Sequence, residues 1–139
     1  MATQTATARR EAARHAYDAF LKECPTSRLL ARISDKWVSL IVSALAATGP
    51  MRYSDLGRTI PGVSQKMLTQ TLRSLERDGL VSRTVTASVP VRVDYELTPL
   101  GGNLACLLSA VKDWAENHIE EVLASRETYD AAAQAAGTA

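Results

Sequence analysis

Cysteine, histidine and aromatic side chains are all scarce in this chain. Its two cysteines, Cys24 and Cys106, cannot build a disulfide framework, which predicts a reducing compartment. Its two histidines, His15 and His118, fall on what read as terminal arms, and no HExxH, CxxC or glycine-rich phosphate loop occurs. Zinc and phosphate chemistry therefore have no home, and the reading is a non-enzyme without catalytic residues, metal or cofactor. Aromatics make up 5% of the residues, with one phenylalanine, so the core must be mostly aliphatic. Long apolar runs are missing as well: Leu40 to Ala47 is too short to span a bilayer and is interrupted by Ser43. Residues 1–10 are polar, and no apolar stretch of a signal peptide follows them. Together these absences predict a cytoplasmic protein with no membrane partner. A net charge of +1 excludes an indiscriminate polyanion binder.

What is present is 139 residues at 46% hydrophobic composition, enough for one domain with a proper core and additional arms. The charge is unevenly spread. From Met51 to Arg83 six cations face three anions, whereas from Lys112 to Asp130 two cations face six anions. The middle is positive and the C-terminal arm negative.

The most informative stretch is Ser64 to Gly79. Ser64 suits an N-cap and Gly79 a C′ position, and Leu68, Leu72 and Leu75 form one apolar stripe between them. The opposite face carries Lys66, Thr69, Gln70, Arg73 and Arg77, with Glu76 beside the two arginines. Two readings of that face stand side by side. It is an ordinary solvated surface, or it is built for a major groove, with Gln and Arg on base edges and Lys on phosphate.

The rest of the chain supplies context. Arg9 to Leu21 reads as a helix with an apolar seam of Ala13, Ala16, Tyr17, Phe20 and Leu21, ended by Cys24-Pro25, with Met1 to Ala8 frayed before it. A second helix is expected from Thr26 or Ser27. A third runs from Lys36 to Ala47, capped at Ser34-Asp35, with Trp37, Leu40, Ile41, Ala44 and Leu45 core-spaced and Trp37 as anchor. Met51 to Tyr53 is a short strand, and Ser54 caps a short helix. That helix, a Pro61-Gly62 turn and the Ser64 helix make a helix-turn-helix. After Gly79 the period switches to two, giving a hairpin with its loop between Thr86 and Pro90. Thr98-Pro99 starts a last helix to about Ala124, its stripe running from Leu104 through Val111 to Val122. Gly101-Gly102 is expected to weaken its first turn. Both terminal seams are long for so small a domain and want a second copy.

The predicted fold is therefore α+β, mainly α, a winged helix-turn-helix. Residues 1–23 form an N-terminal dimerisation arm, 24–98 the winged core, 99–125 a C-terminal dimerisation helix, and 126–139 a low-complexity, disordered tail.

Cys24-Pro25, Lys36-Trp37, then MRYSDLGRTIPGVSQKMLTQTLRSLERDGLVSRTV, VPVRVDYELT and Gly101 resemble the HxlR-type transcriptional regulators, related to the MarR group. The resemblance spans Cys24 to Trp114. It implies a homodimer on double-stranded DNA at a near-palindromic operator, with recognition helix 65–78 in the major groove and wing 87–92 on backbone or minor groove. The implied DNA-binding residues are Ser64, Gln65, Lys66, Thr69, Gln70, Arg73, Arg77, Arg83 and Arg92. For Arg83 a plain surface role stands equally beside this. VPV replaces the VPP common at the family's wing.

Cys24 occupies the place where the family often carries a cysteine that, in a number of members, senses electrophiles or oxidants. Lys22 and Arg28 favour its thiolate and Glu23 opposes it. Cys106 reads as a packing residue on the last helix, and a Cys24–Cys106 bridge between subunits stays open. Two alternatives remain: a reversible small-molecule effector at the dimer interface near Phe20, Trp37 or Trp114, and a winged-helix protein-interaction module without DNA binding.

Overall fold

The structure, a computed structural model, describes residues 5–137. Residues 1–4, part of the segment read as frayed, and residues 138–139 of the tail lie outside it. Helix α1 (Ala6–Glu23) begins earlier than expected, because Thr5 caps it, its hydroxyl accepting from the Ala8 N–H at 3.2 Å. Helix α2 (Pro25–Ile33) starts directly at Pro25, whose fixed φ suits the first helical position. Helix α3 (Lys36–Thr48) is capped as expected, the Asp35 carboxylate accepting from the Trp37 N–H at 2.8 Å.

The buried set of α3 is Val38, Ile41, Val42 and Leu45. This corrects the expected stripe. Leu40 is 40% exposed, and Trp37 is only half-buried, lying at the edge of the core under the Lys36 ammonium at 4.5 Å. The i, i+3, i+4, i+7 series starting at residue 38 hides four aliphatics at once, so packing sets the phase by the aliphatics and not by the tryptophan.

Strand β1 (Met51–Arg52) leads into helix α4 (Tyr53–Thr59), which starts one residue before the expected Ser54 cap. Helix α5 (Gln65–Arg77) follows the turn, then β2 (Val81–Thr86), β3 (Arg92–Leu97) and helix α6 (Pro99–Gly137). The sheet has the order β1-β3-β2, all antiparallel. Arg83 faces Tyr95, Thr86 faces Arg92, and Met51 pairs Tyr95 from the other side. The third strand gives the hairpin the support that a lone ribbon lacks. One core joins α3, α4, α5, the sheet and the start of α6; Ile41, Val42 and Leu56 are fully buried in it.

Helix α6 corrects the expected tail. It continues without a break to Gly137, because the alanines of 131–136 have the highest helix propensity of any residue, whatever their low complexity. At 39 residues it is about 58 Å long at 1.5 Å per residue. Only Gly101, Leu104 and Leu108 are buried in it, while Leu107, Val111, Trp114, Ile119 and Leu123 stand exposed. Nothing in α1 is buried, and Tyr17 and Phe20 are open to solvent.

The glycine pair at the start of α6 also needs correcting. A Cβ on Gly101 would collide with the Leu80 carbonyl oxygen and press on Leu97, so this glycine lets α6 touch the turn after α5. Thr98 fastens the same junction. Its hydroxyl donates to the Gly79 carbonyl at 2.6 Å and accepts from the Gly101 N–H at 3.1 Å.

Candidate nucleic-acid interface

Helix α5 is fixed at both ends and along one side. Ser64 Oγ accepts from the Met67 N–H at 3.1 Å. At the other end Gly79 takes φ 75°, its N–H reaching the Glu76 carbonyl and that of Leu80 reaching the Leu75 carbonyl. That pair of bonds is a Schellman closure, which the missing Cβ of glycine permits. Leu68, Leu72 and Leu75 are each 1% exposed. Each such burial stabilises by about 1.5–3 kcal/mol, against about 0–1 kcal/mol for a surface ion pair. The helix is therefore held by its apolar side, and its polar side is committed to solvent.

On that committed side Gln65, Lys66, Gln70, Arg73 and Arg77 are exposed, as is the cap Ser64. Thr69 is half-buried. Its hydroxyl lies 2.8 Å from the Tyr53 hydroxyl, which also reaches the Gln65 carbonyl at 3.1 Å. Tyr53 therefore ties α4 to the first turns of α5. Sequence reasoning missed this contact. The only signal was the tyrosine itself at the start of a short helix, since a partly buried ring with a hydroxyl seeks a polar partner.

The hairpin brings Arg83 and Arg92 onto the same region, but each already has a carboxylate. Arg83 Nε is 3.6 Å from Glu76 of α5, and Arg92 Nε is 2.8 Å from Asp94. Glu76, beside Arg73 and Arg77 on the helix, also bridges α5 to β2. Thr69, Arg73, Glu76, Arg77, Arg83 and Tyr95 line a concavity of about 520 Å³ between helix and strand. A second concavity, about 370 Å³, carries Arg52, Arg83 and Arg92 with Tyr53 and the wing residues Pro90 and Val91. Arg52 belongs to the positive middle of the sequence, and only the pairing of β1 with β3 brings it beside the hairpin arginines. Tyr95, buried beside this cluster, has its hydroxyl pKa pushed up by desolvation, with Arg83 opposing.

Cys24 is remote in the chain from this face, as N-cap of α2. Its thiol pKa is lowered, chiefly by the backbone N–H of Ser27 and then that of Thr26, ahead of a smaller opposing effect of burial. The expected cause, neighbouring Lys22 and Arg28, is not the operative one: Arg28 donates instead to the Lys22 carbonyl at 3.4 Å. Cys106 is exposed, so within one protomer it does not pack as expected, and both cysteines are free thiols. Phe20 and Trp114 are exposed at 65% and 59%, so an effector site formed by them needs a second copy. Among the described residues no group of His, Cys, Asp and Glu is placed to hold a metal ion, and no helix is long and apolar enough to cross a membrane.

Comparison with known proteins gives the context for this geometry. The uncharacterized HTH-type transcriptional regulator YtfH of Escherichia coli (strain K12) is 44% identical over 108 residues, covering 78% of this chain and 85% of its own. Among solved structures, a putative transcriptional regulator ytfH from Salmonella typhimurium superposes with a TM-score of 0.68 at 42% identity, over 76% of this chain and 94% of that one. The redox regulator HypR in its oxidized form gives a TM-score of 0.61 at 37% identity, over 68% of this chain and 96% of its own. The HxlR-like helix-turn-helix family model matches residues 32–123, which takes in the core from α3 to the wing and most of the exposed stripe of α6. The chain belongs to the HxlR-like helix-turn-helix family, and is a winged helix-turn-helix transcriptional regulator.

Proposed function

We propose that this protein is a homodimer that binds a near-palindromic duplex site, with α5 of each copy in the major groove and the wing on the backbone. The observation that carries this reading is the exposed row Lys66, Gln70, Arg73 and Arg77 on a helix whose other side is locked into the core. Gln70 and Arg73 are assigned to base edges, with Lys66 at the positive N-terminus of α5 on phosphate. Arg77, Arg83 and Arg92 take backbone, the last two exchanging carboxylate partners for phosphate oxygens. Arg52 joins them from β1. Two such helices on one dimer reach successive major grooves about 34–36 Å apart. The exposed seams of α1 and α6 supply the dimer surface, an interface between copies being the ordinary reason for a large apolar patch.

Cys24 is proposed as the control point, oxidised or alkylated through its thiolate. Two things support this: the N–H groups that lower its pKa, and similarity to a protein described as a redox regulator. The test is selection of bound duplexes from a random library, followed by titration with and without diamide. A two-fold-symmetric consensus is expected, with affinity that diamide shifts in the wild type and not in Cys24→Ser. Salt-independent or absent DNA binding would favour the protein-interaction module instead. An equal diamide response in both proteins would remove Cys24 as the sensor.

A further inference from the structure

We propose that Tyr53, which is placed to touch α5 and not assigned to DNA, sets the hydrogen-bond polarity of Thr69 and thereby limits which base edges this threonine accepts. The inference rests on the major-groove reading above and adds a specificity determinant to it.

The chemistry is a matter of counting protons. A phenol has one hydroxyl hydrogen. The Gln65 carbonyl oxygen, 3.1 Å away, can only accept, so both contacts of the phenol are hydrogen bonds together only when that hydrogen goes to the carbonyl. Thr69 Oγ1 lies 2.8 Å from the same phenol oxygen. With the phenol hydrogen already engaged, this second contact is a hydrogen bond only if the threonine donates. The Thr69 hydroxyl hydrogen therefore points into the protein, and the side chain offers the concavity beside Arg73 and Arg77 an oxygen lone pair and a methyl group, but no donor.

Thr71, two residues on, shows the usual alternative. Its hydroxyl donates to the Met67 carbonyl four residues back, at 2.7 Å. The equivalent carbonyl for Thr69 is that of Gln65, which Tyr53 occupies. A threonine in a helix otherwise divides between two side-chain rotamers, one of which makes that back-bond. Tyr53 thus holds both the rotamer and the proton of Thr69.

In a major groove an acceptor with a methyl suits the amino groups of adenine and cytosine and the methyl of thymine. It opposes the guanine edge, where N7 and O6 both accept. At the base position facing Thr69 the wild type should therefore disfavour guanine on the contacted strand. One hydrogen bond gives a preference of about fivefold. Tyr53→Phe keeps the ring and lets Thr69 divide between its two rotamers, only one of which returns the proton to the Gln65 carbonyl, so the preference should fall to about two- to threefold. Tyr53 is a positioning residue in this scheme, acting through Thr69.

The experiment is sequencing of duplexes selected from a random library by four proteins: wild type, Tyr53→Phe, Thr69→Val and the double variant, each checked for its fold by circular dichroism. Discrimination against guanine should narrow in Tyr53→Phe, and Tyr53→Phe should change nothing further in the Thr69→Val background. A wild-type profile kept intact by Tyr53→Phe would overturn this proposal alone. So would an equal change caused by Tyr53→Phe with and without the threonine hydroxyl. A wild type that enriches no sequence would overturn the groove reading, and this inference with it.

Discussion

Replacing Glu76 with glutamine should tighten DNA binding while leaving the fold almost untouched. Glu76 is the one carboxylate among the residues lining the concavity between α5 and β2, where Arg73, Arg77 and Arg83 also stand. Its pair with Arg83 is long, at 3.6 Å, and the two side chains are 48% and 43% exposed. A pair so exposed contributes about 0–1 kcal/mol, so thermal unfolding should move by at most a few degrees. The effect on binding has the opposite sign. A carboxylate about 8 Å from a phosphate repels it by roughly 0.5 kcal/mol in water-like surroundings, before screening by salt. Removing it also spares Arg83 the cost of leaving its carboxylate when it takes a phosphate, and since no phosphate contact is added, the slope of log K against log salt should stay nearly the same. The two effects together amount to about 0.5–1 kcal/mol, or roughly two- to fivefold in affinity. Fluorescence anisotropy on the selected duplex, titrated between about 50 and 200 mM salt, reads both quantities. Weaker or unchanged affinity in a folded Glu76→Gln would refute the placement of this concavity against the DNA backbone.

Other substitutions separate specificity, packing and thiol chemistry. Arg73→Ala should cost about 1–3 kcal/mol on the selected site and relax base preference there, whereas Lys66→Ala should weaken all sequences alike and flatten the salt slope, both read by gel shift. Gly101→Ala forces a methyl against the Leu80 carbonyl and should destabilise the protein by about 1–3 kcal/mol in urea denaturation, against no loss if α6 could slide away. The lowered pKa of Cys24 means that its thiolate is populated at a lower pH than that of an ordinary thiol. In a Cys106→Ser background the rate of iodoacetamide alkylation should accordingly rise with pH at a lower midpoint than that of a free cysteine peptide, and a midpoint at or above the peptide's would contradict the role of the Ser27 and Thr26 N–H groups.

Features written in local sequence were legible, and features made by distant contact were not. Ser64, Gly79, Asp35 and Thr98-Pro99 announce helix ends because a cap needs only neighbours within a few residues, and all four act as ends in the structure. The hairpin was equally plain from its period of two. The phase of α3 was not, since choosing Val38 and Val42 over Leu40 depends on which neighbours lie opposite. The Tyr53 contact joins residues 12 and 16 positions apart, and the ion pair of Glu76 crosses from helix to strand. Gly101 looked like a weak point in a helix, yet the oxygen it makes room for belongs to Leu80, twenty-one residues earlier by number. The long reach of α6 was not legible because an alanine-rich run satisfies low complexity and helix propensity alike.

The most direct test of the two-copy, two-groove account is a hydroxyl-radical and methylation-interference footprint of the protein on its selected duplex, with stoichiometry measured on the same complex. The account predicts two chains per duplex and two major-groove patches on one face, about 10–10.5 base pairs apart and related by a two-fold axis. One chain per site, or a single unpaired patch, would contradict it.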